Sequence, residues 1–267
     1  MAEKKTLIFF SAFCRIAIFS LTLYTEKVSP KGSAGMNVLF IFDDREKSSF
    51  FLYNLKKGTN QLIRFSPELP SAKSTLGSLY TQLPIDQFLI LFSRTFSLDV
   101  RKYLVLTKRN SLKAVAEAGL DNDGKILITV QKEFMALKKR QQFTPGKHRL
   151  SLEELDAYIS YQIDEDGRID VFERQEDIIR LMKQKTVRPR LTSITQNYGT
   201  VKEFSGNNLS LKDMVKMGTG YLAKGSAHMD KLNVPVAGSY QLSGNFPYAI
   251  SSVDMEKNKA QLEQMIF

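Results

Sequence analysis

The chain has 267 residues, and 43% of them are hydrophobic, which is enough for an ordinary buried core and excludes a wholly disordered protein. A single cysteine, Cys14, excludes a disulfide framework and a cysteine-based metal cluster, while only two histidines, His148 and His228, argue against a histidine-rich zinc site. The formal charge of +10 favours an anionic partner, whether nucleic acid, a membrane surface or a phosphorylated polymer.

The N-terminal segment has the character of a membrane-spanning helix. Thr6–Tyr24 is almost wholly apolar, and at 1.5 Å per residue it reaches about 28 Å, close to the thickness of a bilayer core. Arg15 interrupts it, at a cost of about 2.5 to 3.5 kcal/mol that the surrounding Leu, Ile and Phe residues offset. We predict an anchor or signal over residues 1–25 and a polar linker over 26–35; an uncleaved anchor, a cleaved signal and a buried helix all remain open.

Three strand patterns follow from Met36 onward. Apolar and β-branched residues are concentrated in three short runs, Asn37–Phe42, Phe50–Leu55 and Gln61–Ser66. The polar stretch around Lys57 between the last two runs contains glycine, which predicts an antiparallel hairpin.

The next elements alternate between helix and strand. A helix pattern begins at Pro84 and runs to Phe96, Tyr103–Thr107 has strand character, a short helix ends near Gly119, and Lys125–Val130 is again a strand pattern. Alternation of this kind predicts an α/β fold with a mixed central sheet flanked by helices.

The second half is more helical. Ser151 and Glu154 form a capping-box pattern at the start of one helix, residues 171–185 have helical apolar spacing, and Ser210–Gly225 begins with a weaker capping signal. Many charged residues of these segments are also what solvated helix faces carry.

Residues 162–173 nearly match a calcium-binding EF-hand loop. Asp164, Asp166, Gly167 and Glu173 stand at the third, fifth, sixth and twelfth positions, but Gln162 replaces the first aspartate. EF-hands normally work in pairs, and the sequence contains no second loop of this type. Calcium binding is therefore kept as an alternative interpretation.

Other functional classes lack their sequence signatures. The chain has no helix-turn-helix, zinc-finger or aromatic RNA-binding pattern, so we predict no nucleic-acid partner. A G-x-S-x-G nucleophile turn and a G-x-x-x-x-G-K-S phosphate loop are also absent from the sequence.

Several stretches, taken in order, resemble the LytR-CpsA-Psr family of extracytoplasmic envelope proteins. "NVLFIFDDR" is similar to the family's opening strand and turn, "FTPGKHRLSLEELDAYISY" to its F-x-x-G-x-x-x-L-x-G-x-x-A-L-x-Y-x-R stretch, and "FERQEDIIRLMKQK" to its R-x-x-R-Q helix. "NNLSLKDMVKMGTGYLAKG" and "KLNVPVAGSY" resemble its closing T-N-L-S and L-P-x-x-G segments. The shared order of these motifs, rather than any one of them, carries the resemblance.

The resemblance implies a single-pass protein of the cell membrane whose domain, residues 36–242, lies on the extracytoplasmic side, with residues 243–267 as a C-terminal tail. In the family, the site transfers a phosphorylated glycopolymer from a polyprenyl pyrophosphate carrier to peptidoglycan. Such a site needs arginines for the pyrophosphate, carboxylates for a divalent cation and an apolar cavity for the lipid. A polyprenyl-linked or anionic glycan, the membrane and other envelope proteins are the implied partners.

Five residues match the family's functional positions. Asp44 and Arg174 would be catalytic if the site is active, and Arg45, Lys73, Arg174 and Gln175 would bind the ligand. We assign no metal ligands; Mg²⁺ is implied only if the site is active. The same residues also suit local ion pairs or positions on a helix surface.

Other family positions have changed. Ser49 replaces a carboxylate, and Glu68 replaces an arginine; Ser160, Gln162 and Val171 replace three more arginines. Since each lost charge-assisted hydrogen bond removes about 1.5 to 3 kcal/mol, phosphotransfer by the family's mechanism would be strongly weakened. We predict a weak or inactive relative that binds an envelope glycopolymer; an enzyme with a rearranged site, a calcium-binding protein and a protein-interaction scaffold in the envelope remain open.

Overall fold

The computed structural model describes residues 36–56, 59–71, 73–119, 122–177, 206–214, 216 and 229–266. The predicted anchor and linker lie outside these residues and stay predictions. In the part of the chain that the structure describes, no helix is both long enough and apolar enough to span a membrane.

The strands and helices have well-defined bounds. In chain order, the strands are β1 Met36–Asp43, β2 Ser49–Lys56, β3 Thr59–Phe65, β4 Pro70–Ser71, β5 Ser74–Thr75, β6 Lys102–Thr107, β7 Ile126–Val130, β8 Phe134–Ala136, β9 Gln141–Phe143, β10 Gly146–Leu150, β11 Gly206–Asn207, β12 Met229–Val234, β13 Tyr240–Ser243 and β14 Ala249–Val253. The helices are α1 Leu76–Gln82, α2 Ile85–Phe96, α3 Lys108–Gly119, α4 Leu152–Ile159, α5 at residues 171–177, α6 at residues 211–214 and α7 Met255–Ile266.

A six-stranded mixed sheet forms the centre of the fold, in the order β11-β6-β1-β2-β3-β12. Strands β1, β2 and β3 form an antiparallel meander, whereas β6 pairs parallel with β1 and β12 pairs parallel with β3. The mixed α/β architecture, the three opening strands and the hairpin between β2 and β3 are thereby confirmed.

Alternating side chains of the sheet supply two separate apolar clusters, because successive residues of a strand point to opposite faces. On one face, Leu39 and Ile41 belong to a cluster that α1, α2 and α7 cover. On the other face, Val38 and Phe42 belong to a cluster covered by α4, α5 and the two small sheets formed by β7 with β10 and by β8 with β9. The strand β7 was expected from its sequence, but it lies in one of these covering sheets and not in the central one.

The C-terminal residues form part of the domain. The interval predicted as a tail, 243–267, contains β14 and α7. Leu262 and Ile266 of α7 are buried in the same cluster as Phe88. The side chain of Asn258 is fully buried and accepts a hydrogen bond from the backbone N–H of Val236, at 2.8 Å. The helix therefore covers one face of the central sheet.

Gly77 in α1 allows the loops that follow β1 and β3 to pack closely. Its N–H donates to the carbonyl of Pro67, at 2.8 Å. A Cβ atom at this position would lie 2.0 Å from the carbonyl oxygen of Glu46. Only glycine fits, and the contact holds two loops next to each other at one edge of the sheet.

We expect Gly77→Ala to lower the free energy of unfolding by about 1 to 3 kcal/mol, because a backbone carbonyl must move to accommodate the methyl group. Chemical denaturation measures the loss. Gly206→Ala is the matched control, since its Cβ would meet Val105 at an ordinary 3.7 Å. Equal stability of the two variants would contradict the role of Gly77.

Candidate functional site

The candidate site lies where two parallel strands end. Strands β1 and β6 run side by side, with Asp43 opposite Thr107, so that the next residues of each strand, Asp44 and Lys108, meet at the carboxyl edge of the sheet. In open α/β sheets this edge is where ligands bind. The fold thus brings Asp44, one of the predicted site residues, next to Lys108, which was not predicted as a site residue.

Lys108 is the centre of a buried polar network. Its side chain is 9% exposed, and its Nζ donates hydrogen bonds to Asp44 Oδ2 at 2.9 Å, to Asp156 Oδ1 at 2.7 Å and to the Ser160 hydroxyl at 2.6 Å. Because an ammonium has three N–H groups, these three acceptors satisfy it completely.

Asp156 is held in its charged form by two lysines. Burial would raise the pKa of this carboxyl, but hydrogen bonds from Lys108 and Lys138 outweigh that effect and keep the pKa below its ordinary value. Lys138 binds the second carboxylate oxygen, Oδ2, from the solvent side. Two carboxylates and two ammonium groups therefore form a network with no net charge.

The loop after β1 presents two cations to solvent. Arg45 is exposed and adopts a left-handed backbone conformation, with φ of 56°. Such a φ is uncommon for a residue other than glycine, and it is found where the surroundings fix the backbone. Lys47 is also exposed, and its Nζ lies 2.7 Å from Glu68 Oε1 and 5.6 Å from the centre of the Tyr161 ring.

Glu68, which replaces a family arginine, has a structural partner. Its second oxygen, Oε2, accepts a hydrogen bond from the backbone N–H of Ile250, at 2.9 Å. Next to it, Tyr161 is buried and its hydroxyl lies 2.5 Å from Ser66 Oγ; burial raises the pKa of Tyr161 well above its ordinary value. Lys47 and Ile250 together thus engage both oxygens of Glu68, which links the loop after β3 to β14.

Arg174 and Gln175 belong to a second buried network. The guanidinium of Arg174 forms a bidentate pair with Asp164, at 2.7 and 3.0 Å, with side chains 7% and 6% exposed. It also lies 3.9 Å from the centre of the Phe134 ring. Gln175 Nε2 donates to the carbonyl of Ile159, at 3.0 Å.

The predicted site residues are therefore only partly brought together. Asp44 and Arg45 share one turn at the carboxyl edge of β1, and Lys73 is exposed in the turn between β4 and β5. The partners of Arg174 and Gln175 lie in residues 159–164, the segment that also provides Ser160 to Lys108. Their assignment as ligand-binding groups stays a prediction.

Three residues of the loop that nearly matches an EF-hand form hydrogen bonds or ion pairs within the fold. Gln162 Oε1 accepts from the backbone N–H of Leu137, Asp164 pairs with Arg174, and Glu173 pairs with Arg64. Gln162 also donates from Nε2 to Asp164 Oδ1, at 2.9 Å, so all three side chains are bound by other groups of the fold. Over the described ranges, no group of three or more Asp, Glu, His or Cys side chains is placed to hold a metal ion.

The divalent cation that the family resemblance implies does not fit these residues. Of the two carboxylate positions carried over, one is Ser49, which is fully buried and whose Oγ has no hydrogen-bond partner among the described residues. The other, Asp44, is bound by the ammonium of Lys108. A magnesium ion needs several oxygen ligands and water at this place, and here an ammonium occupies the centre.

Sequence reasoning missed Lys108, Asp156 and Ser160 as members of the site. One signal was available: Lys108 follows directly after a strand pattern, as Asp44 does. That signal identifies a site only if the two strands are parallel neighbours, and strand pairing is not visible in a single sequence.

Comparisons with known proteins identify the family and the fold of this chain. The family model of the LytR_cpsA_psr family matches residues 92–264. Searching curated protein sequences gives no match.

Several solved structures have a similar fold. TagV of Bacillus subtilis has a TM-score of 0.60 and 17% sequence identity, with 88% of this chain and 98% of that chain covered. A transcriptional regulator of Enterococcus faecalis has a TM-score of 0.60 and 14% identity, covering 87% of each chain. TagU of Bacillus subtilis has a TM-score of 0.55 and 14% identity, with 88% and 98% covered. These likenesses show the fold, and the family match over most of the chain shows that it belongs to the LytR_cpsA_psr family.

Proposed function

We propose that this protein binds a phosphorylated or polyprenyl-linked glycopolymer in cell-wall biogenesis and has little or no phosphotransferase activity. Family membership supports a function related to cell-wall glycopolymers. The proposal includes a membrane anchor over residues 1–25, which the apolar N-terminal segment suggests, and a domain on the extracytoplasmic side, which the family resemblance implies.

The proposed loss of catalysis rests on one observation: the charged groups at the family positions form ion pairs with other side chains of the same protein. Asp44 is bound by Lys108, Glu68 stands in place of an arginine and is bound by Lys47, and Arg174 is bound by Asp164. Phosphoryl transfer depends on charged groups that are free to stabilise the charge developing in the transition state. Here these groups neutralise one another.

Ligand binding would use the exposed cations of the same edge. Arg45 and Lys73 are exposed, and each can donate to phosphate oxygens through charge-assisted hydrogen bonds. Arg174 and Gln175 are buried, and they bind Asp164 and the carbonyl of Ile159, at or next to the segment between α4 and α5. We therefore assign Arg45 and Lys73 as the ligand contacts and the buried pair as their support.

The test measures binding of a polyprenyl pyrophosphate-linked glycan to the full chain in detergent. We expect Arg45→Asn to weaken binding about tenfold or more, since it removes a charge-assisted hydrogen bond while asparagine tolerates the left-handed backbone. Lys73→Gln should weaken binding in the same direction. The matched control is Arg101→Gln. Arg101 is 82% exposed and pairs with Asp99, and it precedes β6, at the opposite end of that strand from Lys108.

The same samples are assayed for release of the lipid carrier. We expect binding without transfer above background. Transfer at a rate abolished by Asp44→Asn would show an active, rearranged site instead. A folded chain that binds no glycan would refute the proposal and favour a protein-interaction scaffold.

A further inference from the structure

The oxygens around Lys108 form a donor set of the kind that holds divalent cations. Three oxygen-bearing groups surround Lys108 Nζ at 2.6 to 2.9 Å: the carboxylates of Asp44 and Asp156 and the hydroxyl of Ser160. Magnesium and calcium are bound in proteins by hard oxygen ligands of these types. The positive charge at their centre is, however, part of the chain.

From this arrangement we propose that Lys108 is a built-in cation, which takes the place of the divalent metal and makes the site independent of metal ions. Since the lysine is the first residue of α3, the start of that helix fixes its backbone. All three of its N–H groups are used and its side chain is 9% exposed, so it has neither a free position nor an open path to solvent.

The charges around the network oppose a second cation. Lys138 binds the other oxygen of Asp156, and both carboxylates are already neutralised. A magnesium ion at this place would have to displace an ammonium that is tethered to the sheet, and Lys138 would repel it. A metal ion therefore gains no unpaired carboxylate in the network.

The role of Lys108 is independent of the proposed function. Lys108 neutralises Asp44 and Asp156 whether or not the protein binds a glycan. Its chemical consequence is that this place carries a single positive charge without open coordination positions, so a phosphate oxygen cannot be bound directly as it would be by a metal ion.

The test is Mn²⁺ binding to the full chain in detergent, followed by electron paramagnetic resonance of the free ion. We expect no saturable binding to the wild type, and one bound ion at least about tenfold tighter in Lys108→Ala, because Asp44, Asp156 Oδ1 and the Ser160 hydroxyl then lose the ammonium that binds them. The double variant Asp44→Asn with Lys108→Ala should lose this gain. Lys138→Ala is the matched control, since it removes a lysine from Asp156 but leaves Lys108 in place.

Two results would overturn the proposal: one Mn²⁺ bound by the wild type and lost in Asp44→Asn, or a folded Lys108→Ala that binds no more Mn²⁺ than the wild type. Circular dichroism monitors folding. If Lys108→Ala is unfolded in EDTA, Mn²⁺ should restore the folded spectrum by binding only the native state. Failure of Mn²⁺ to restore it would show that Lys108 has a structural role alone.

Discussion

Arg174→Met should lower the free energy of unfolding by about 3 to 5 kcal/mol, because it leaves the carboxylate of Asp164 buried without its counter-charge. Among the described residues, the carboxylate of Asp164 then retains a hydrogen bond from Gln162 Nε2, at 2.9 Å. The stacking of the guanidinium on Phe134 is lost as well. Urea denaturation followed by circular dichroism measures the change.

The double variant Arg174→Met with Asp164→Asn should recover most of that loss, since no buried charge remains. The matched control is Arg168→Met. Arg168 is 63% exposed and lies 3.5 Å from Asp166, and exposed pairs of this kind contribute at most about 1 kcal/mol. A small effect of Arg174→Met on stability, combined with a large effect on glycan binding, would instead identify Arg174 as a ligand contact.

The second large effect is expected for Phe92→Ala, which should lower the free energy of unfolding by about 3 to 5 kcal/mol. Phe92 is 0% exposed, and its ring lies 5.0 Å from that of Phe65 and 4.9 Å from that of Phe96, centre to centre. The family resemblance also implies that the apolar residues of α2 could line a cavity for a lipid. Thermal and urea denaturation distinguish these roles, because a filled core loses packing when a ring is removed.

Ile90→Ala on the same helix is the control. Ile90 is 55% exposed, and surface substitutions of this kind change stability by about 0.5 kcal/mol or less. If Phe92→Ala lowered the free energy of unfolding as little as Ile90→Ala, the side chain of Phe92 would border a cavity and not a packed core. A polyprenyl ligand would then have a place beside Phe92.

Local features of the fold could be predicted because their causes are local. Short apolar and β-rich runs predicted the strands β1, β2 and β3, and the glycine-containing turn around Lys57 predicted the hairpin between β2 and β3. Pro84 marked the start of α2, where it is the N-cap residue. The capping box of Ser151 and Glu154 is present as predicted, with both reciprocal hydrogen bonds formed.

Pairings between distant segments could not be predicted in the same way. An apolar strand such as β7 fits a central sheet or a covering sheet equally well, since both bury one of its faces. The parallel pairing of β3 with β12 depends on the whole chain between them. The position of α7 on the core likewise depends on apolar residues contributed by α2 and the sheet.

The candidate site could likewise be predicted where its residues are neighbours in the sequence, and not where distant segments meet. Asp44 and Arg45 were found through their family motif and do stand in one turn. Lys108, which sets the charge of that turn, belongs to no motif quoted from the sequence. Its importance comes from two parallel strands and a helix, α4, that carries Asp156 to the same edge.

The pairing of β12 with β3 and the burial of α7 in the apolar cluster that contains α2 also constrain folding. Strand β3 obtains one of its two neighbours, and this cluster obtains Leu262 and Ile266, from segments that lie far later in the chain. Contacts of such long sequence separation form slowly, because loop closure must precede them. We therefore expect the central sheet and the apolar cluster on this face to be completed late in folding.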